Sequence, residues 1–381
     1  MNRFSSLFSQ ILKVFPAAEF RQLVTKHGAE RGAKGFTCWT QFVSMLFCQF
    51  GRAQSLREIS NGLRACEGKL RHLGIEYPSK SSLAYANQHR PWQLYRDLFE
   101  SLLGRCQQIA PGHGFRFKNK LYSLDATTIA LCASMFDWAR YKRTKGGVKL
   151  HLVLDHDGCL PTFAWIREAK IFDVEVARAL ELPADSIVVF DRAYNDFQWF
   201  YSLTRRRIFF VTRMKEGTRF TVLDQREPPA RSPVVTDQTI LLHKQFEGVK
   251  PEQLRRVVVR TDEGKLLVFI TNNFRLSART IGEIYKSRWE IEKFFRAIKQ
   301  NLKIKTFVGT SENALHIQIW TALIAVLLLR YLMFRSRYNW SLSNFIAIFR
   351  QLLFVHRDLD AWLRAPFKPP DPDLDAQLQL V

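Results

Sequence analysis

Between residues 120 and 213 the apolar pattern leaves the helical period and breaks into strand-like runs, and the order of those runs restricts the possible folds. "KLYSLDATTIAL" (120–131), "GVKLHLVLDHDGCLPTFAWI" (147–166) and "SIVVFDRA" (186–193) are rich in the β-branched and aromatic residues that favour strands. "DHDG" (155–158) sits where a hairpin turn would join the second strand to the third. "VEVARALEL" (174–182) reads as a helix before the fourth strand and "FQWFYSLTRR" (197–206) as a helix after it; "RIFFVTRM" is a fifth strand. Three strands, helix, strand, helix, strand predicts antiparallel neighbours first, then parallel strands added by crossovers.

That order is the layout of a ribonuclease H-like α/β sheet. Two aspartates interrupt its apolar strands. Asp125 follows "YSL" in the first, and Asp191 ends the "IVVF" run of the fourth. An ionised carboxylate in such a strand is costly unless paired or bound to a metal, and strand ends of α/β sheets are where sites collect. Neither Asp has an evident local capping role, although Asp191 also fits a plain strand end. Asp155 and Asp157 are rival acids that a tight turn explains, and Asp137 and Asp173 read as surface or helix-start residues.

A third acid comes from "YKSRWEIEKFFRAIKQNLKI" (285–304). Thr280 with Glu283 is a capping-box pattern that starts a helix near 280, and after Gly282 no Gly or Pro interrupts it before Gly309. With Tyr285 at zero, Arg288, Lys299 and Glu292 lie at roughly 300°, 320° and 340°, one narrow stripe with Trp289 and Arg296 on its edge. Ile284, Ile291, Phe295 and Ile298 form the adjoining apolar face, and Trp289 is expected to pack in the core. Glu290, near roughly 140°, falls on the solvated side. Glu292 is therefore the candidate rather than Glu290. Arg288 and Glu292 are equally an i,i+4 surface pair of about 0.2–0.5 kcal/mol, a reading the helix alone leaves open.

The 381 residues allow two or three domains, and the formal net charge of +22 with 47% hydrophobic residues describes a folded protein facing a polyanion, of which nucleic acid is the usual case. A ribosomal or membrane-surface protein is the plain alternative. Six scattered cysteines without CxxC fit a reducing compartment and no zinc motif. "IWTALIAVLLL" (319–329) is short for a bilayer and reads as a buried helix packed on the sheet, so no membrane partner is expected. The pattern divides into a helical segment at 1–112, segments at 113–213 and 276–366 on either side of an interrupting segment at 214–275, and a disordered tail at 367–381. "RFTVLD", "TILLHK", "RRVVVR" and "KLLVFITN" are that segment's strands. Within 77–92, a short polar helix presents Asn87, Gln88 and Arg90, residue types suited to reading a DNA groove.

Three carboxylates form a hard oxygen cage of the kind that holds Mg²⁺, or Mn²⁺, beside a phosphate substrate. Tyr285, Arg288, Glu292 and Lys299 fit Y-x2-R-x3-E-x6-K in full, and the sequence here resembles the branch of bacterial insertion-sequence DDE transposases bearing that signature. "YSLDATTI" and "VVFDRAYND" resemble the family's two aspartate blocks, "KGGVKLHLVLDHDG" the stretch after the first, and "FSQILKVFP…SLREISNGL" the helical leader of one subgroup. The resemblance implies a ribonuclease H-like core interrupted by a β-rich insertion, with an all-helical N-terminal domain. It implies Asp125, Asp191 and Glu292 as catalytic residues holding two Mg²⁺ ions. Tyr285, Arg288 and Lys299, with Arg296 beside them, would bind the DNA backbone. It also implies double-stranded DNA as substrate, cleavage and strand transfer at element ends, a homodimer bridging two ends, and a bacterial cytoplasmic, nucleoid-associated location. Relatives use an insertion-domain Trp to stack near a flipped base. This chain has no Trp between 199 and 289, which leaves Phe220, Phe246 or Phe269 for the task. A catalytically inactive DNA-binding relative, or a ribonuclease H-fold nuclease that cuts without joining, are the alternatives.

Overall fold

The computed structural model describes residues 5–66, 68–132, 134–142, 145–168, 173–228, 230–243 and 253–368. Phe246 and the expected tail from 369 onward lie outside them. The described helices are α1 (Leu7–Leu12), α2 (Ala17–Lys26), α3 (Cys38–Gly51), α4 (Leu56–Ala65), α5 (Lys80–His89), α6 (Gln93–Ile109), α7 (Asp173–Arg178), α8 (Phe197–Arg205), α9 (Ala278–Ser287), α10 (Trp289–Asn301), α11 (Glu312–Arg335), α12 (Leu342–Leu352) and α13 (Leu359–Arg364). The strands are β1 (Leu121–Leu131), β2 (Arg140–Lys142), β3 (Lys145–Asp155), β4 (Leu160–Glu168), β5 (Ile187–Phe190), β6 (Phe209–Arg213), β7 (Phe220–Arg226), β8 (Val234–Leu242), β9 (Gln253–Arg260) and β10 (Leu266–Thr271). They form two compact units, one of residues 1–111, 129–146 and 296–381, the other of 112–128 and 147–295.

The second unit is a mixed α/β layer structure. Its sheet runs β3-β1-β5-β6-β10-β9-β8-β7, with β4 also paired to β3. β3 and β4 form the expected hairpin around 156–159. β5 pairs parallel to both β1 and β6, because α7 and α8 provide the crossovers. β7 to β10 form an antiparallel meander that joins the same sheet through β6 and β10. Alternation along β5 sends Val188 and Phe190 to the face covered by α7 and α8, with Trp199, Phe200 and Leu203. It sends Ile187 and Val189 to the opposite face, covered by Ile281, Ile284 and Tyr285 of α9.

The α9–α10 segment departs from one uninterrupted helix. It starts at Ala278, capped by Ser277, whose hydroxyl accepts from the Thr280 amide at 3.1 Å. The expected Thr280–Glu283 box is not used; Glu283 pairs with Arg279 instead. At Arg288 the helix tightens: the Arg288 amide donates to Tyr285 O and the Ile291 amide to Arg288 O, both three residues back at 3.2 Å.

The first unit is helical apart from short strand segments. α11 is apolar on all sides and buried over most of its length, and it is long and apolar enough to cross a membrane by length and composition. Within this unit it packs against α3, α5, α6, α12 and α13. A helix with no polar face needs apolar partners all round, and within this unit other helices supply them. Gln318, a polar residue inside α11, is buried and donates to Lys303 O and Thr306 O while accepting from the Val308 amide.

Candidate active site

Strand register brings the two aspartates together. The parallel pairing of β1 and β5 ends at Leu124 opposite Phe190, so Asp125 and Asp191 are the next residues on adjacent strands. Leu124 and Phe190 face the α7–α8 core, which turns their successors toward the α9 side. β1 itself continues to Leu131, so Asp125 lies within a strand rather than at its end. Its carboxylate accepts from the Ala126 amide at 2.8 Å. Asp191 does have a capping role, contrary to the sequence reading. It caps the 3₁₀ turn Arg192–Tyr194, accepting from the Ala193 amide at 2.9 Å.

α9 and α10 bring the rest. Tyr285 is buried, its ring 4.9 Å from that of Phe269. Arg288 is buried as well. Its Nη2 donates to Glu292 Oε1 at 2.7 Å, and its Nη1 lies 3.6 Å from Asp125 Oδ2. One guanidinium thus bridges an acid from β1 and an acid from α10. Burial pushes the Asp125 carboxyl up to about 6, with Glu292 and Asp191 adding to the rise and the Ala126 amide and Arg288 opposing it. Burial also raises Tyr285, which Asp191 reinforces. The i,i+4 reading of Arg288 and Glu292 as surface decoration fails, because the Arg288 side chain is only 7% exposed.

Glu290 faces outward and pairs with Lys293 at 2.8 Å. Ile284, Ile291, Phe295 and Ile298 are buried as the helical stripe predicts. Trp289 is not a core residue: it is 51% exposed, its ring 5.5 Å from the Arg288 guanidinium. Further along α10, Arg296 is exposed and Lys299 half-buried, and burial lowers the Lys299 ammonium pKa.

Of the stacking candidates in the interrupting segment, Phe269 is buried under Tyr285 and cannot meet a base. Phe220 is half-buried beneath Arg256 at 5.3 Å. Sequence reasoning missed Arg192 and Lys215, which with Asp191, Ala193 and Glu216 line an open concavity of about 460 Å³. The signal was present in Arg192, directly after the second aspartate.

In the first unit the expected base-reading set divides. Asn87 is 1% exposed; its Oδ1 accepts from Gln41 Nε2 at 2.8 Å. Arg90 donates to Gln41 Oε1 at 3.2 Å and to the Phe36 carbonyl, and stacks on the Phe36 ring. Both hold α5 in place and are corrected as groove readers. Gln88 is exposed.

Comparison with known proteins places the chain in a family. A family model described as a transposase DDE domain matches residues 116–328, and one described as a domain of unknown function, DUF4372, matches residues 3–76. A protein of Sinorhizobium fredii (strain NBRC 101917 / NGR234) named as a transposase is 31% identical over 76% of this chain and 81% of its own. A probable transposase for insertion sequence element IS5377 of Geobacillus stearothermophilus is 31% identical over 71% of this chain and 72% of its own. A piggyBac transposase synaptic complex with hairpin DNA matches 100% of this chain and 85% of its own at 11% identity and a TM-score of 0.47, too weak a likeness to carry an argument. The chain belongs to the DDE transposases of bacterial insertion sequences. It is therefore a DNA-processing enzyme of the transposase class.

Proposed function

We propose that this transposase cuts DNA at the ends of its insertion sequence and joins the freed 3′ ends to target DNA. The observation that carries this is the register neighbourhood of Asp125 and Asp191, with Glu292 tied to Asp125 through Arg288. The strand order β3-β1-β5-β6, with β4 paired to β3, supports a ribonuclease H-like core in which β7 to β10 are the insertion.

The donor set, three hard carboxylates, is of the type that holds divalent ions, and burial raises the Asp125 pKa with Glu292 and Asp191 adding to it. Among the described residues no group of three or more His, Cys, Asp or Glu stands close enough to hold an ion, and the Arg288 guanidinium supplies the counter-charge between Asp125 and Glu292. Asp125, Asp191 and Glu292 would hold Mg²⁺, which when bound would activate the attacking oxygen and stabilise the leaving one. Arg288 suits a bidentate phosphate contact and Lys299 a point-charge one, with Tyr285 and Arg296 completing a backbone-binding stripe. DNA, a homodimer bridging two ends, and work on the bacterial nucleoid in the cytoplasm belong to this reading.

The test is cleavage and joining of a labelled duplex carrying the element's end, with Mg²⁺. Wild type and Glu290→Ala are expected to cut and join, and Glu292→Ala to bind without cutting. Cutting without joining would favour a nuclease. Binding without cutting by wild type would favour an inactive DNA-binding relative.

A further inference from the structure

α5 carries polar residues on two opposite faces. With Leu83 at zero, Ala86 and Asn87 lie within roughly 60° of it, whereas Ser81, Tyr85, Gln88 and His89 span roughly 140° to 240°. The first face is buried and clamped. Gln41 holds Asn87, Arg90 reaches Gln41 and Phe36, and Asn313 Nδ2 donates to Asn87 O and Arg90 O at 2.8 and 2.7 Å. These bonds fix the helix in position and rotation.

The second face is presented outward. Tyr85 is 67% exposed, and its ring stacks on that of His89 at 4.1 Å and 25°. His89 Nδ1 lies 2.9 Å from Tyr85 O, a bond that leaves Nε2 as the acceptor. An exposed, pre-stacked aromatic pair contributes little to burial in the fold and leaves its ring face open to a partner. The local charge identifies that partner's sign. No acid occurs from Tyr77 to Arg96, Lys80 opens the helix, and Arg64 of α4 lies 5.8 Å over the Tyr77 ring beside it. An α-helix is about 10–12 Å across with its side chains, a fit to the roughly 12 Å width of the major groove.

We propose that this outward face of α5 reads base edges in the major groove of duplex DNA. Gln88 addresses an adenine, Tyr85 and His89 contact the neighbouring bases, Lys80 and Arg64 meet flanking phosphates, and Asn87 and Arg90 hold the reader rather than read. The inference rests on the proposed action of the protein on its own element's ends.

The experiment measures binding of the full chain to a duplex carrying the element's end and to a scrambled duplex, across a salt series. Gln88→Ala is expected to lose roughly 5- to 150-fold of the preference for the end sequence. Tyr85→Ala should lower the preference in the same direction, with unchanged thermal midpoints, because both side chains are exposed. Lys80→Ala should weaken both duplexes alike and reduce the salt slope by about one. If wild type prefers its end and the Tyr85→Ala/Gln88→Ala double variant keeps that preference, α5 does not read bases, and the transposase reading stands without it. If single-stranded DNA or RNA of the same sequence competes as well as the duplex, groove reading is overturned. If wild type cleaves the end but shows no preference in binding, α5 is overturned alone. If wild type neither prefers nor cleaves it, the functional reading fails as well.

Discussion

Two polar helices of this protein look alike on paper and behave differently in the fold. α5 and the α9–α10 segment both carry amides, cations and aromatics in a short span. In α9–α10 the sequence stripe leads directly to the structure: Tyr285, Arg288 and Glu292 turn to the sheet face on which Asp125 and Asp191 emerge. In α5 the residues best suited by type to reading a groove, Asn87 and Arg90, are turned inward and spent on holding the helix. The difference teaches that residue type predicts chemistry only once a neighbour fixes the helix's rotation. α9 has a long apolar stripe, which fixes its rotation in the sequence itself. α5 has only Leu83 and Ala86 to do so, and a buried polar residue completes its inner face.

The sharpest way to break the comparison is to remove an acid from the α9–α10 side. Glu292→Ala or Asp125→Ala should lower end cleavage at least ~10³-fold, more than the ~10²–10³-fold typical of losing one preorganised contact, while a gel-shift assay still shows binding. Retained cleavage in either would detach Arg288's two carboxylates from the chemistry.

Next in size is the pH response of the same site. The Asp125 carboxyl, held near 6 against an unfolded value of about 3.9, favours folding in its protonated form. Its contribution is fully present below about pH 4 and disappears as pH rises through about 6. Denaturant melts of wild type should therefore lose stability, by at most about 3 kcal/mol, between pH 4 and 7 relative to Asp125→Asn. Mg²⁺ at pH 7.5 should raise the thermal midpoint of wild type and do so less for Asp125→Asn. Equal pH curves for the two proteins would show that burial, with Glu292 and Asp191 beside it, does not hold the Asp125 carboxyl up.

On the α5 side, Asn87→Ala leaves Gln41 Nε2 without its partner in a buried site and should cost about 1–3 kcal/mol by chemical denaturation. Gln88→Ala should be neutral within about 0.5 kcal/mol. A reversed order would mean that α5 sits in the opposite rotation. The smallest effect belongs to Glu290→Ala, which removes an exposed pair with Lys293 and should change stability by less than about 1 kcal/mol and cleavage hardly at all.

Much of the fold was legible because the runs from β1 to β10 carry their own period. Strand content, the order of the crossover helices and the hairpin at 156–159 all follow from local pattern. The inward turn of Glu292 and the outward turn of Glu290 followed from the turn of a helix, whereas the exposure of Trp289 did not. The Ser277 cap was missed because Thr280–Glu283 offers the same pattern one turn later.

The sequence by itself determined which segments are strands and helices, which faces of α9 and α10 are apolar, and that three carboxylates lie in a strongly basic chain. Those properties are set by residues near one another in the sequence. Only the tertiary structure decided that Asp125 stands beside Asp191, since strand register depends on which strand pairs with which. It also decided that one buried guanidinium ties Asp125 to Glu292, and that α11 is wrapped by helices. The inward turn of Asn87 belongs to the same category. Each depends on a partner tens to hundreds of residues away, or on how a helix is rotated, and no local period encodes either.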